Sequence, residues 1–163
     1  MEYLIDLHPQ VLVLGEALRA RGWRLASAES CTGGLIAALC TSVAGSSDWF
    51  ERGFVTYSNE AKAQMLGVDA RLIEHHGAVS EEVVRAMHAG AMTHAPVQAA
   101  VAVTGIAGPG GAVPGKPVGT VWLATGTALR PEVIRLQLDG DRGAVREATV
   151  RRALAALLTA AQA

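Results

Sequence analysis

The run from Val97 to Thr104 limits the fold of this chain more than any other stretch. It is apolar almost throughout, with only alanine and valine at residues 99–103. An unbroken apolar run of this length is typical of a central strand that is buried on both faces of its sheet. Such a sheet needs a layer of helices on each side. We therefore expect an α/β fold, a three-layer α/β/α sandwich with a mixed, mostly parallel sheet.

Apolar periodicity and capping residues elsewhere predict helices that alternate with strands through the first two thirds of the chain. The predicted helices are Leu7–Arg21, Gly33–Val43, one capped by Asn59 and ending at Leu66, one capped by Asp69 and ending at Gly77, Ser80–His94 and Gly140–Ala160. The predicted strands are Trp23–Ser27, Trp49–Tyr57, Val97–Thr104 and an antiparallel pair, Val118–Thr125 and Val133–Leu138. The 163 residues, 50% of them hydrophobic, predict that residues 1–163 form a single domain with a sizeable core.

Charge and hydropathy argue against several kinds of partner. The formal net charge is −1 and no basic run occurs, so we expect no nucleic-acid contact. No apolar stretch reaches the length of a membrane span and no signal-peptide pattern opens the chain, so we expect no membrane contact. The two cysteines, Cys31 and Cys40, fit a reduced protein better than a disulfide framework, which favours a cytoplasmic location.

No motif predicts a metal or a cofactor. His75 and His76 have no partner at ligand spacing. Residues 110–116 fit the first seven positions of a P-loop, but Pro117 stands where a serine or threonine must bind Mg²⁺. A strand also follows where the P-loop needs a helix. We therefore expect neither a metal nor a cofactor.

The stretch from Ser27 to Gly34 joins the first predicted strand to the next helix. Strand, small-residue turn and helix together place side chains at the open end of a sheet, with backbone N–H groups pointing at whatever binds there. Ser30, Cys31 and Thr32 bring two hydroxyls and one thiol into that turn. A capped helix start with no further role explains the same residues equally well, because serine and threonine often cap helices.

Lysine usage offers a second indication. The chain has only two lysines, Lys62 and Lys116, so arginine supplies nearly all the positive charge. A lysine can lose its proton near neutral pH, whereas an arginine cannot. Lys62 falls near the start of a predicted helix, where the helix dipole disfavours its charged form, and Tyr57 precedes it. These residues allow a Ser–Lys hydrolase, although a solvated helix lysine is the simpler interpretation of Lys62 on this basis alone.

Six motifs then occur in an order shared with one family. They are Glu29-Ser30-Cys31-Thr32-Gly33-Gly34, Val55-Thr56-Tyr57-Ser58-Asn59-Glu60-Ala61-Lys62, Gly77-Ala78-Val79-Ser80, Thr104-Gly105-Ile106-Ala107-Gly108-Pro109, Lys116-Pro117-Val118-Gly119-Thr120-Val121 and Gly140-Asp141-Arg142. From about Val11 to Leu158 the chain resembles the CinA C-terminal domain family, the nicotinamide-nucleotide amidohydrolases. Many members carry a second, N-terminal domain. We expect this domain to stand alone, with the amidase as its only activity.

The resemblance implies a reaction and its catalytic residues. Members hydrolyse the carboxamide of nicotinamide mononucleotide to nicotinic acid mononucleotide and ammonia, with a serine nucleophile and without a metal. Carried over by position, Ser30 matches the nucleophile, Lys62 the base and Tyr57 the hydroxyl beside them. The partner is a small-molecule nucleotide, and a homo-oligomer is expected, with a dimer favoured.

The resemblance also implies substrate-binding residues. These are Cys31, Thr32, Gly33 and Gly34 after the first strand, Thr104, Gly105, Ile106, Ala107 and Gly108 after the central strand, and Arg142 at the start of the last helix. Backbone N–H groups of residues 32–34 are the expected oxyanion donors, and Arg142 the expected ligand of the 5′-phosphate. Arg146 is a weaker candidate, for which we expect a solvated helix face.

Two other classes of function stay open at this point. One is a module that binds a pyridine nucleotide without turning it over. The other is a partner-binding domain linked to DNA uptake or repair, which the competence-related name of the family suggests. The near-neutral charge and the lack of a basic stripe count against direct DNA contact.

Overall fold

The computed structural model describes residues 2–163, in which helices and strands alternate as the sequence predicts. The strands are β1 (Leu25–Glu29), β2 (Phe50–Val55), β3 (Ala99–Gly105), β4 (Thr120–Thr127) and β5 (Arg130–Gln137). The helices are α1 (His8–Ala20), α2 (Leu35–Cys40), α3 (Asn59–Leu66), α4 (Ala70–His76), α5 (Glu81–His94) and α6 (Arg142–Gln162), with short 3₁₀ helices at Glu2–Leu7 and Ser46–Asp48. No helix within residues 2–163 is both long and apolar enough to span a membrane.

The five strands form one sheet in the order β2-β1-β3-β4-β5. β1 pairs in parallel with β2 and β3, whereas β4 pairs antiparallel with both β3 and β5. β4 therefore runs against the other four strands, which confirms a mixed, mostly parallel sheet. The predicted antiparallel pair is also confirmed, but its turn is shorter than expected because Gly126 still pairs with Pro131.

Side chains of β3 separate two cores, as expected for a central strand. Val101 and Val103 pack on one side with α1, α2 and α6. Ala100 and Ala102 pack on the other side with α3, α4 and α5. All four side chains are fully buried, so helices do cover both faces of the sheet. The three-layer α/β/α sandwich is confirmed.

The helix that follows β1 is shorter than the predicted span Gly33–Val43. Gly33 and Gly34 adopt positive φ angles of +60° and +97°, so they form a tight turn, and α2 begins only at Leu35. Residues other than glycine rarely adopt these backbone angles. The helix ends at Cys40.

The predicted cap of α3 was one residue off. Ser58, not Asn59, is the N-cap: its hydroxyl accepts a hydrogen bond from the N–H of Ala61 at 3.0 Å. Asn59 is the first helical residue. The predicted caps Asp69 and Ser80 are confirmed for α4 and α5.

Helices α3 and α5 approach each other closely at Gly90. A Cβ atom at this position would lie 2.8 Å from Cβ of Leu66 and would overlap the Leu66 carbonyl group. Only glycine therefore permits this approach. Because Leu66 lies one helical turn after Lys62 on α3, the contact also determines where Lys62 lies relative to the sheet.

The strand order reverses direction around β1, since β2 lies on one side of it and β3 on the other. In open α/β sheets, ligands bind at the carboxyl ends of the strands at such a switch point. Here the carboxyl ends of β1, β2 and β3 lead to Ser30, Thr56 and Ile106 respectively. The predicted site residues therefore converge on one edge of the sheet.

Candidate active site

Ser30 follows directly after β1 and begins a turn of residues 30–34, here named the nucleophile turn. Its backbone N–H donates to the carbonyl of Val103 at 3.1 Å, which ties the turn to the neighbouring strand β3. The side chain is 8% exposed, so the hydroxyl can be reached from the pocket but is shielded from bulk water. Ser30 is thus held at the end of two parallel strands.

Lys62 points from α3 into the same place. Its Nζ lies 3.0 Å from Oγ of Ser30 and 2.9 Å from the carbonyl oxygen of Thr56, and its side chain is only 1% exposed. Burial lowers the pKa of Lys62 below its usual value of 10.5, because removal from water disfavours the ammonium form. No carboxylate within the described chain forms an ion pair with Lys62 that would restore the charge.

The contacts of Lys62 also allow its lone pair to point at Ser30. The carbonyl oxygen of Thr56 can only accept a hydrogen bond, so the amine must donate one N–H to it. A neutral amine held in this way can direct its lone pair at the hydroxyl of Ser30. The arrangement suits a base that takes the proton of Ser30.

Glu29 supports the nucleophile turn from inside the fold. Its carboxylate is fully buried and accepts hydrogen bonds from the hydroxyls of Thr32 (2.7 Å) and Ser27 (3.2 Å). It also accepts from the backbone N–H groups of Ile36 and Ala37, both at 2.9 Å. Glu29 therefore occupies two amides in the first turn of α2. This role was not predicted, although Glu29 stands next to Ser30 in the same motif.

Tyr57 and Arg142 form the outer side of the site. Arg142, the first residue of α6, donates to the hydroxyl oxygen of Tyr57 at 2.7 Å and to the carbonyl of Gly108 at 2.8 Å. Tyr57 is 60% exposed and Arg142 is also exposed. The guanidinium thus joins the segment after β2 to the segment after β3 at the rim of the pocket.

An open pocket of about 240 Å³ joins these groups. Of the residues predicted from the sequence, it brings together Ser30, Cys31, Tyr57, Lys62, Thr104, Gly105, Ala107 and Arg142. It is also lined by Asn59, Ala78 and Val79, which were not predicted as site residues. The segment of residues 77–80 was among the shared motifs, and its Ala78 carbonyl accepts from the Thr104 hydroxyl at 2.8 Å.

The other predicted substrate-binding residues do not line this pocket. Thr32 is fully buried with its hydroxyl bonded to Glu29, and Gly33 and Gly34 supply only backbone to the turn. Ile106 is largely buried, with backbone bonds to residues 119 and 120. Gly108 contributes its carbonyl to Arg142. Direct roles in substrate binding for these five residues stay predictions.

Cys31 lies beside Ser30 but has the properties of a buried thiol. It is 5% exposed, and burial raises its pKa to about 11, so the thiol stays protonated at neutral pH. Thiols react as nucleophiles in their thiolate form. The environment therefore favours Ser30 over Cys31 as the nucleophile. Within residues 2–163, no cluster of three or more His, Cys, Asp or Glu side chains is arranged to hold a metal ion.

Arg146 does not lie on a solvated helix face, contrary to our expectation. It is half-buried, and its Nε and Nη2 donate to the carbonyl oxygens of Cys31 (3.2 Å) and Thr32 (3.1 Å). The sequence placed Arg146 one turn after Arg142 on α6, but it could not show that the nucleophile turn packs there. The carbonyl groups that attract Arg146 belong to a backbone turn, and backbone groups leave no trace in a residue pattern.

The fold and the site together define a three-layer α/β protein with a buried serine–lysine pair at the switch point of its sheet. The chain belongs to the CinA C-terminal domain family, whose model matches residues 9–161. This agrees with the resemblance seen in the sequence motifs.

Individual relatives match over nearly the whole chain. A protein of Escherichia coli strain K12 named nicotinamide-nucleotide amidohydrolase PncC is 53% identical over 155 residues, which is 94% of this chain and 92% of that protein. A Pseudomonas putida protein of the same name is 55% identical over 145 residues, 89% of this chain and 91% of that one. The crystal structure of the competence damage-inducible protein A of Klebsiella pneumoniae superposes with a TM-score of 0.90 at 43% identity, covering 93% of this chain and 94% of that chain.

Proposed function

We propose that this protein hydrolyses the carboxamide of nicotinamide mononucleotide, releasing ammonia and nicotinic acid mononucleotide. The observation that carries the proposal is the 3.0 Å contact between Oγ of Ser30 and Nζ of Lys62, a buried lysine whose pKa is lowered. The relatives named nicotinamide-nucleotide amidohydrolase supply the substrate class. Nearly complete coverage of both chains supports a shared reaction.

The proposed reaction has two halves. Ser30 attacks the amide carbon while Lys62 takes the hydroxyl proton, and the carbonyl oxygen becomes an oxyanion. The C–N bond then breaks as the proton passes to the leaving nitrogen. Ammonia departs and leaves an ester of the substrate on Ser30. A water molecule attacks this ester with Lys62 again as base, which releases the carboxylate product and restores the serine. Proton transfer of this kind typically contributes ~10²–10⁴ in rate.

Tyr57 and Arg142 have proposed roles at the outer side of the pocket. The hydroxyl oxygen of Tyr57 accepts from Arg142, which leaves its own proton available for the departing ammonia. Arg142 lies at the N-terminus of α6, where a cation and backbone N–H groups together suit a phosphate. The 5′-phosphate would then replace Tyr57 or Gly108 as an acceptor of the guanidinium.

Location and assembly belong to the same proposal. Both cysteines are buried and unpaired, in keeping with a reduced, cytoplasmic protein. We expect a homo-oligomer, with a dimer favoured, and light scattering after gel filtration measures its mass. A monomer at micromolar concentration would contradict this expectation.

The experiment that tests the proposed function is an ammonia-release assay on nicotinamide mononucleotide, with the riboside and free nicotinamide alongside. We expect release from the mononucleotide that survives dialysis against EDTA. Binding of the mononucleotide without ammonia release would instead indicate a nucleotide-binding module. Loss of activity on dialysis, restored by zinc or manganese, would contradict the serine–lysine chemistry.

A further inference from the structure

Two adjacent carbonyl groups of the nucleophile turn are held by one side chain from the last helix. Nε of Arg146 donates to the carbonyl oxygen of Cys31, and its Nη2 donates to that of Thr32. The planar guanidinium presents donors in a fixed fork, so one arginine can hold two neighbouring peptide groups at once. A lysine has a single nitrogen and would not span both carbonyls in this geometry.

These bonds determine where the peptide N–H groups point. In a trans peptide the N–H points opposite to the C=O of the same unit. With the carbonyls of Cys31 and Thr32 facing Arg146, the N–H groups of Thr32 and Gly33 face away from α6. The Gly33 N–H is already used, since it donates to the carbonyl of Ser30 at 3.0 Å. That bond holds the carbonyl of the Ser30–Cys31 peptide, so the Cys31 N–H points the opposite way. Cys31 lines the pocket, and its N–H has no acceptor among residues 2–163.

The turn is also held from its other side, so it has little freedom to reorient. Glu29 accepts hydrogen bonds from the hydroxyl of Thr32 and from two backbone N–H groups in the first turn of α2. An anion therefore fixes the side chain of Thr32 while a cation fixes the adjoining carbonyls. A cation on a carbonyl oxygen also polarises the peptide unit, which strengthens its N–H as a donor.

We propose that Arg146 is a positioning residue, which acts through the Gly33–Ser30 hydrogen bond and fixes the Ser30–Cys31 peptide so that the N–H of Cys31 donates to the oxyanion formed when Ser30 attacks the substrate. The proposal rests on the proposed amidase function and assigns one donor among the several that the turn offers. It gives Arg146 a function through the backbone and none in contact with the substrate, in keeping with its absence from the pocket lining.

The test compares Arg146→Ala and Arg146→Lys with Arg152→Ala, a matched control because Arg152 is an exposed arginine on the same helix. We expect kcat for the mononucleotide to fall by ~10²-fold or more in Arg146→Ala, the loss typical for one oxyanion donor. KM should stay within about threefold, because the oxyanion exists only after binding. Arg146→Lys should keep most of the defect, and Arg152→Ala should match the wild type.

A second measurement separates positioning from mere support of the fold. The Ser30→Ala variant should bind the mononucleotide with the same affinity whether or not it also carries Arg146→Ala, whereas a distorted pocket would weaken binding by the double variant. In ¹H–¹⁵N spectra, the product nicotinic acid mononucleotide should shift the Cys31 amide proton of the wild type but not that of Arg146→Lys, the variant used if Arg146→Ala does not fold.

The outcomes distinguish this inference from the function on which it rests. A wild-type protein that releases no ammonia would refute the amidase function, and the inference with it. An active wild type combined with unchanged kcat in both Arg146 variants, an equal loss in kcat and affinity, or an unshifted Cys31 amide would overturn only the inference.

Discussion

The inner and outer sides of the pocket are built on different principles. On the inner side, Ser30 and Lys62 are 8% and 1% exposed and contact each other directly. On the outer side, Tyr57 is 60% exposed and Arg142 is also open to solvent. Proton transfer by a lysine needs a dry environment, because burial lowers its pKa. Recognition of a charged phosphate needs access from solvent. One pocket meets both needs because the proton-transfer residues lie deep and the phosphate-binding residue lies at its rim.

The two sides also differ in the elements that supply them. On the inner side, Ser30 follows β1 and Lys62 lies within α3, so strand pairing and helix packing fix their positions. The outer residues come from the segment after β2 and from the first turn of α6. We therefore expect substitutions on the inner side to affect the chemical step and those on the outer side to affect binding.

The largest expected effect is at the inner side, in Ser30→Ala. Loss of the nucleophile should lower kcat by about 10⁴-fold or more. Steady-state ammonia release measures this, with Cys31→Ala as the neighbouring control. Because the Cys31 thiol is buried and protonated, we expect Cys31→Ala to keep most of the turnover. The reverse pattern would make Cys31 the nucleophile.

The next largest effect is expected for Lys62→Arg, which tests whether Lys62 is the base. The substitution keeps a cation but removes a proton acceptor, so kcat should fall ~10²–10⁴-fold while the affinity for the mononucleotide changes little. In the wild type, kcat/KM should rise with pH along one acidic limb whose midpoint lies below 10.5, since only neutral Lys62 can accept the proton. Substantial turnover of Lys62→Arg with an unchanged pH profile would exclude Lys62 as the base.

Arg142→Ala tests the outer side and should give a smaller, opposite pattern. Loss of one charge-assisted contact should raise KM for the mononucleotide roughly 10- to 100-fold and leave kcat close to the wild type. The riboside lacks the phosphate, so its kinetics should change much less. An equal loss of activity on both substrates would indicate that Arg142 orients Tyr57, to which it donates a hydrogen bond, and does not bind the phosphate.

The smallest expected effect concerns stability. The pKa of Lys62 is lower in the folded protein than in the unfolded chain. At pH values between these two pKa values, the unfolded chain binds more protons, so the free energy of unfolding rises with pH across this window. Below the window, buried Lys62 lowers the stability. Lys62→Met should therefore raise the free energy of unfolding at pH 7, but only by about 1 kcal/mol because the Thr56 carbonyl also loses its partner.

A matching control is the same comparison at higher pH. Thermal unfolding followed by circular dichroism at pH 7 and pH 10 should show the advantage of Lys62→Met shrinking as the wild-type lysine becomes neutral. If folding did not lower the pKa of Lys62, the difference in stability between the two proteins would be the same at both pH values.

The architecture was predictable because it rests on periodic side chains. The apolar run of β3 predicted a sheet covered on both faces, and the burial of Val101 and Ala102 in separate cores confirms it. Helix ends were predicted less well where a residue beside the expected one could also serve. Ser58 and Asn59 both cap helices, and only the structure shows that Ser58 does so here.

The site was predictable where side chains carry the chemistry and less so where the backbone does. Ser30, Lys62 and Tyr57 came from residue types and family motifs, and the pocket brings them together. The roles of Glu29 and Arg146 were missed because they depend on bonds to backbone N–H groups of α2 and to backbone carbonyls of the nucleophile turn. The pKa of Lys62 was expected to fall because of the helix dipole, whereas burial is the cause that the structure supports.

The close approach at Gly90 has a consequence for how the activity can be lost during evolution. The place of α3 depends on an absent side chain on α5, and Lys62 lies on the same helical stretch as the contact residue Leu66. A single methyl group gained at residue 90 would move α3 outward and separate Lys62 from Ser30 while every pocket residue stays the same. Retention of every pocket residue is therefore not sufficient for the reaction, which also requires that residue 90 carries no side chain.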